Sequence, residues 1–194
     1  VSCIAELVEP LLLLPTAVSS CGDTITDIRL TSIIDSPNTL TCEGTRTYVY
    51  TYYDCAGNTD EWRYTYLIDM PEFIIAADPG EATVNCVADA VIPTAYLPTV
   101  TDACGNTIIP GAPTISELPD CEGDIVYTFT YTDCAGYSQD WTFTYHIDQP
   151  RFTITAPAGA STVNCVGDIF VPWDYLPEVT DACGKVITDI ALTD

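Results

Sequence analysis

From Tyr48 to Tyr52 every second residue is a tyrosine, with Val49 and Thr51 between them. Trp62, Tyr64, Tyr66 and Ile68 alternate in the same way with Arg63, Thr65 and Leu67. Successive side chains leave a strand on opposite sides, so a period of two marks a strand with one buried face. Asp54-Cys55-Ala56-Gly57 lies between the two runs and has the composition of a turn; together they predict a β-hairpin. A second hairpin follows the same plan. Tyr127, Phe129 and Tyr131 share one face, Trp141, Phe143, Tyr145 and Ile147 another, and Asp133-Cys134-Ala135-Gly136 joins them. The aromatic faces are expected inside, the Thr, Val and Arg faces on a solvated sheet surface. No stretch has a capped 3.6-residue period, so the fold class is all-β.

The two hairpins belong to a longer repeat. Cys42–Asp69 aligns with Cys121–Asp148 at a constant offset of 79, without a gap. The opening residues 1–25 align with 84–108 and again with 163–187. Four residues extra to the first copy fall between Cys21 and Cys42, where Asp35-Ser36-Pro37-Asn38 predicts a longer loop. Three modules result: 1–69 (truncated at its start), 70–148 (complete) and 149–194 (the start of a third). Short strands, Pro/Gly turns and an aromatic strand pair predict tandem immunoglobulin-like β-sandwich modules of about 80 residues. Ile68-Asp69-Met70-Pro71 and Ile147-Asp148-Gln149-Pro150 form the junctions. Proline restricts itself and the residue before it, so the modules should be coupled stiffly. The segment reads as a window cut from a longer array, with any signal or anchor outside it.

Composition narrows the setting. The chain carries 28 acidic and 5 basic residues, a net charge of −23. That balance disfavours nucleic acid and anionic membrane surfaces, which select for Lys and Arg. Disorder is disfavoured too, because 47% of the residues are hydrophobic and the strands alternate cleanly. The apolar run Leu11–Leu14, set between Pro10 and Pro15, is far too short to span a membrane.

Ten cysteines recur in register, and an oxidising, extracytoplasmic compartment explains them better than zinc. The C-x-x-C and His pairs of zinc sites are missing, and the single histidine, His146, cannot serve every repeat. Within a module, Cys121 and Cys134 bracket an extended strand of roughly 30 Å, whereas a disulfide needs Cα atoms within about 7 Å. That eliminates the pair and its companion, Cys86–Cys104. In an immunoglobulin-like sandwich the Asp-Ala-Cys-Gly loop and the hairpin turn lie at the same end. The expected bridges are therefore Cys86–Cys121 and Cys104–Cys134, and equivalently Cys3–Cys42 and Cys21–Cys55. Cys165 and Cys183 are expected to pair beyond the segment.

The full pattern, V-N-C, V-T-D-A-C-G-N, C-E-G, Y-T-Y-x-D-C-A-G and W-x-x-T-Y-x-I-D, resembles hyalin-repeat-like domains of the four-cysteine type. Such domains occur in very large secreted surface proteins of Bacteroidetes. The resemblance covers essentially the whole chain. It implies an immunoglobulin-like fold, export to the cell surface and a role in adhesion. The first copy departs from it, with Ser19-Ser20-Cys21-Gly22 in place of Asp-Ala-Cys-Gly.

Catalytic chemistry finds no constellation. His146 sits on the solvated strand face and is matched by Leu67 in the other copy, which marks a surface residue. No phosphate-cradling glycine loop is present, and with one lysine, Lys185, no isopeptide crosslink can recur in each module. Calcium is the candidate cofactor, since hard cations take carboxylate and carbonyl oxygens. Its candidate ligands are the recurring Asp54 and Asp133 in the turns, Asp69 and Asp148 at the junctions, and Asp89 and Asp168 after the first cysteine. The competing account of the turn aspartates is hydrogen bonding to their own backbone.

The expected function is therefore non-enzymatic: a structural and adhesive segment of a long extracellular or bacterial cell-surface protein, giving reach, stiffness and attachment. Its expected partners are neighbouring modules, copies of itself in a filament, and surface glycans. The alternative is a calcium-dependent carbohydrate-binding module of a secreted enzyme.

Overall fold

A computed structural model describes residues 1–192. Among them there is no α-helix; strands and short 3-10 turns make up the structure. The first sheet is antiparallel, in the order β1 (Asp27–Ser36), β2 (Gly44–Tyr53), β3 (Thr59–Ile68). Further along lie β4 (Gly80–Val84), β5 (Val100–Thr101), β6 (Thr107–Ile108), β7 (Thr114–Ile115), β8 (Gly123–Thr132) and β9 (Ser138–Ile147). These form a four-stranded sheet in the order β4-β9-β8-β7 and a small β5–β6 ladder. Both alternating hairpins are present, as β2–β3 and β8–β9.

The chain divides into two compact units. The first comprises 1–77, 98–112 and 129–141; the second comprises 78–97, 113–128 and 142–194. Each unit therefore combines pieces of successive repeats, and the β8–β9 hairpin gives its turn end to one and its open end to the other.

In the first unit, Tyr48, Tyr50 and Tyr52 are buried against Leu14, Ala17, Ile25, Ile28, Trp62 and Tyr66. Burying tyrosine requires a partner for each hydroxyl. Tyr50 donates to the Glu9 carboxylate at 2.8 Å and Tyr52 to the Pro15 carbonyl at 2.9 Å, so the opening segment of the repeat is fastened over its own hairpin. Tyr131 at the turn end of β8–β9 does the same to the Pro98 carbonyl. In the second unit Tyr127 donates to the Ala90 carbonyl, and β4 runs parallel to β9 from Gly80–Phe143 to Val84–Ile147.

The aromatic contacts repeat with the sequence. Tyr48–Tyr66 and Tyr127–Tyr145 are edge-on at 6.2 and 6.0 Å, and Tyr64–Tyr66 and Phe143–Tyr145 both stand at 5.0 Å. Trp141, Phe143 and Tyr145 are buried, whereas their counterparts Trp62, Tyr64 and Tyr66 are half-buried. Tyr96 covers Phe143 at 4.8 Å, and the first copy has the exposed Leu13 at that position.

Two local expectations need correcting. The opposite face of β2 is not solvated: Val49 and Thr51 are buried, at 2% and 8% exposure. At a bulge between Leu30 and Ser32, Thr31 places its hydroxyl on the Val49 carbonyl and the Thr51 hydroxyl. The second correction concerns the extra residues of the first copy. Asp35 and Ser36 end a ten-residue strand, and only from Pro37 does the chain bend away. Arg46 clamps Asp35 through two hydrogen bonds of 2.7 and 2.8 Å. The second copy has Pro110 and Pro113 in the corresponding stretch. Proline offers no N–H to a ladder, so β7 shrinks to two residues, flanked by single bonds from Gly111 to the Thr130 carbonyl and from Ser116 to the Val126 carbonyl.

Candidate functional site: disulfide joints between repeats

Six of the ten cysteines are bonded, and every bond runs from one sequence repeat to the next. Cys3 is joined to Cys104, Cys42 to Cys134, and Cys86 to Cys183. Their Cα–Cα distances of 5.6, 5.7 and 5.7 Å lie within the range a disulfide needs. None of the expected pairs Cys3–Cys42, Cys21–Cys55, Cys86–Cys121 and Cys104–Cys134 is formed, and Cys183 finds its partner inside the chain. The error lay in confining partners to one module. The strand between Cys121 and Cys134 does keep them apart, but each can reach a neighbouring repeat, and the bonds close separations of 101, 92 and 97 residues.

The cysteines are presented by a recurring turn. In Asp102-Ala103-Cys104-Gly105-Asn106, the Asp102 carboxylate accepts N–H bonds from Cys104 (2.9 Å) and Asn106 (2.8 Å) and a side-chain amide bond from Asn106 (2.9 Å). Gly105 closes the turn at φ +82°, a conformation costly for residues with a Cβ. Asp54, Asp133 and Asp181 receive the same pair of backbone bonds. Ser19, which breaks the Asp-Ala-Cys-Gly pattern, keeps the turn: its hydroxyl accepts from Cys21 and Asp23 at 3.3 and 3.2 Å. Hydrogen bonding favours the charged carboxylate. The Asn58 side chain, followed by its backbone N–H, lowers the pKa of Asp54. For Asp102, burial pushes upward, but bonds from Asn106, Cys104 and Gly105 together bring the pKa below its usual value. For Asp181 the Lys185 backbone bond leads, with Gln149 second.

Asp133 differs in one respect. Its buried Oδ2 has no hydrogen-bond partner. The corresponding oxygens of Asp54 and Asp102 are met by the amides of Asn58 and Asn106, but Tyr137 occupies that position and has no amide to offer.

The bonding pattern has a covalent consequence. Cys86 and Cys104 stand 18 residues apart and are bonded outward in opposite directions. A route from Cys3 to Cys183 therefore crosses one disulfide, those 18 residues and a second disulfide. Stretched backbone spans about 3.4 Å per residue, so this route reaches roughly 60 Å, about a tenth of the uncrosslinked length.

The six candidate calcium ligands do not gather. Asp54 and Asp133 spend an oxygen each on turn N–H groups. Asp69 and Asp148 fasten the repeat ends through their backbone N–H, to the Val1 and Val84 carbonyls, while Asp89 and Asp168 sit in 3-10 turns after Cys86 and Cys165. Among the described residues no group of three or more His, Cys, Asp or Glu is placed to hold a metal ion. His146 is half-exposed, with Nδ1 2.7 Å from Asp124 and Nε2 3.7 Å from Glu81. Its hydrogen bond to the Asp124 carboxylate, with the lesser help of Glu81, raises its pKa. A depression of about 360 Å³ beside the Cys3–Cys104 and Cys42–Cys134 bridges is lined by Ile4, Thr41, Met70 and Asn106, with no acid or base among its residues.

Repeated β-hairpins, aspartate-locked cysteine turns and covalent links between repeats define a disulfide-crosslinked β-repeat protein. The chain belongs to the HYR-like domain family with 4 cysteines, which it matches over 1–68, 74–147 and 153–194. No curated protein matches it. Among the described residues no helix is long and apolar enough to cross a membrane.

Proposed function

We propose that the chain is a load-bearing segment of an extracellular adhesive array, in which immunoglobulin-like modules are riveted to their neighbours by paired disulfides. The observation that carries this reading is the covalent route through Cys104 and Cys86, which bypasses most of the polypeptide. A protein that must transmit tension between a cell and a surface gains from such a bypass, because unfolding a module releases little length. Membership of a family of extracellular adhesive repeats supports the same reading, as does a surface with few Lys and Arg for trypsin-like proteases.

Single-molecule pulling between the two termini tests it. With disulfides intact the expected total extension is about 100 Å, rising to about 680 Å after reduction, at roughly 3.5 Å per residue. Full extension without reductant would refute the load-bearing role.

A further inference from the structure

Cys21, Cys55, Cys121 and Cys165 are unpaired, and all are exposed. Numbered within each repeat, the first copy holds Cys3, Cys21, Cys42 and Cys55, the second Cys86, Cys104, Cys121 and Cys134, and the third Cys165 and Cys183. The three bonds then obey one rule. The first cysteine of a repeat joins the second of the next (Cys3–Cys104, Cys86–Cys183), and the third joins the fourth of the next (Cys42–Cys134). Under that rule Cys21 and Cys55 take partners from a preceding repeat, Cys121 from the second half of the third, and Cys165 from a fourth. Each unpaired cysteine is one whose partner lies outside residues 1–194, and no cysteine with a partner inside is left over.

We infer that Cys21 and Cys55 together form one side of a joint to a preceding four-cysteine repeat, that Cys121 is the open half of the second bond between the second and third repeats, and that Cys165 begins the joint to a fourth. The backbone supports this independently of the count, for at Cys165 itself, and at the glycine that follows Cys21, Cys55 and Cys121, it matches the bonded counterpart. Cys165 has φ −130° and ψ 148°, against −132° and 147° at Cys3 and −132° and 149° at Cys86. The glycine after Cys21 has φ 88°, against 82° and 81° after Cys104 and Cys183. Gly57, two residues after Cys55, has φ 84°, and Gly136, two after Cys134, has 92°. Gly123 and Gly44, two residues after Cys121 and Cys42, have 141° and 142°. The two existing first-to-second bonds also share their surroundings: Cys104 Sγ lies 3.6 Å from the Ser2 carbonyl and Cys183 Sγ 3.5 Å from that of Asn85. The joint is a standard part, and its open halves are already shaped.

Closing each bond removes two thiol protons and two electrons. A cysteine thiolate attacks the disulfide of an oxidant such as oxidised glutathione, and the partner thiolate then displaces the mixed disulfide, so two reduced glutathiones leave. The inference rests on the bonding rule and holds whatever load the array carries.

The test is to complete one repeat. Asp194 aligns with Ile115 at the offset of 79, so a copy of Ser116–Asp148 appended after Asp194 finishes the third repeat in register. The extended chain and the original are refolded with oxidised glutathione, alkylated, and mapped without reduction after cleavage at aromatic residues. The expected result is one new bond, from Cys121 to the appended copy of Cys134, with Cys21, Cys55 and Cys165 still alkylated. Serine in place of the appended Cys134 copy should return Cys121 to full alkylation. An alkylated Cys121 in the extended chain, a bond from it to Cys165 or to its own appended copy, or the absence of any of the three resident bonds from the original chain would each overturn the rule.

Discussion

Cys3 and Cys104 are bonded with their Cα atoms 5.6 Å apart, across 101 residues and from one sequence repeat into the next. Together with Cys42–Cys134, it ties two points of one repeat to two turns of its successor. Loss of this bond should be costly. In the chain-entropy account a disulfide closing a loop this long contributes about 5 kcal/mol. Cys104→Ser should lower the urea midpoint accordingly, whereas Cys21→Ser, at an exposed unpaired position, should leave it unchanged.

The orphaned Oδ2 of Asp133 has a remedy written elsewhere in the chain. Tyr137→Asn would place an amide where Asn58 and Asn106 serve Asp54 and Asp102. A satisfied buried acceptor is worth about 1 kcal/mol net. Thermal melts should show Tyr137→Asn above the parent, and Asn106→Ala below it by a similar amount.

Acid should weaken the joints. Asp54, Asp102 and Asp181 all have lowered pKa values in the folded protein. A carboxylate of this kind binds protons more readily when unfolded, so its stabilisation is complete above the unfolded pKa of about 3.9 and fades as pH falls through the folded value. Denaturation midpoints should fall with pH below about 4, and Asp102→Asn should flatten part of that slope.

Gly44 and Gly123 occupy the same place in their repeats but tolerate a side chain differently. Both have φ near +140°, and a Cβ on Gly44 would collide with the Ser36 carbonyl, while one on Gly123 would meet only the Pro119 side chain at 3.1 Å. Gly44→Ala should therefore destabilise by about 2–3 kcal/mol and Gly123→Ala by about 1 kcal/mol, as strained-backbone costs run. Parallel urea titrations of the two variants give the comparison.

Calcium removal should change little. The turn carboxylates already accept two or three N–H bonds each, and no described group of three ligands is placed for a cation. Melting in excess chelator should coincide with melting in millimolar calcium; a shift of several degrees would show a bound cation.

Much of the local structure was legible in the residues. Period-two alternation located β2, β3, β8 and β9, because burying one face of a strand demands it. The turns were legible too, since Asp and Gly at fixed offsets encode an Asx bond and a positive φ. Even Ser19 could be read as a shorter oxygen acceptor in the aspartate's place. Strand β1 was hidden, because Asp27–Ser36 has no clean alternation and borrows its ladder from β2. The burial of Val49 and Thr51 was hidden for a related reason: what covers a strand's second face is not written in the strand.

The cysteine spacing determined by itself that the same four thiol positions recur in the first two repeats and begin again in the third, and that Cys121 and Cys134 cannot meet. Which thiols do meet was decided only by tertiary structure. A disulfide depends on two Cα atoms coming within about 7 Å, and sequence distance says nothing about that once segments 101 residues apart pack together. A repeat in the sequence marks what is copied; the folded chain decides what is joined, and here the joins run between copies.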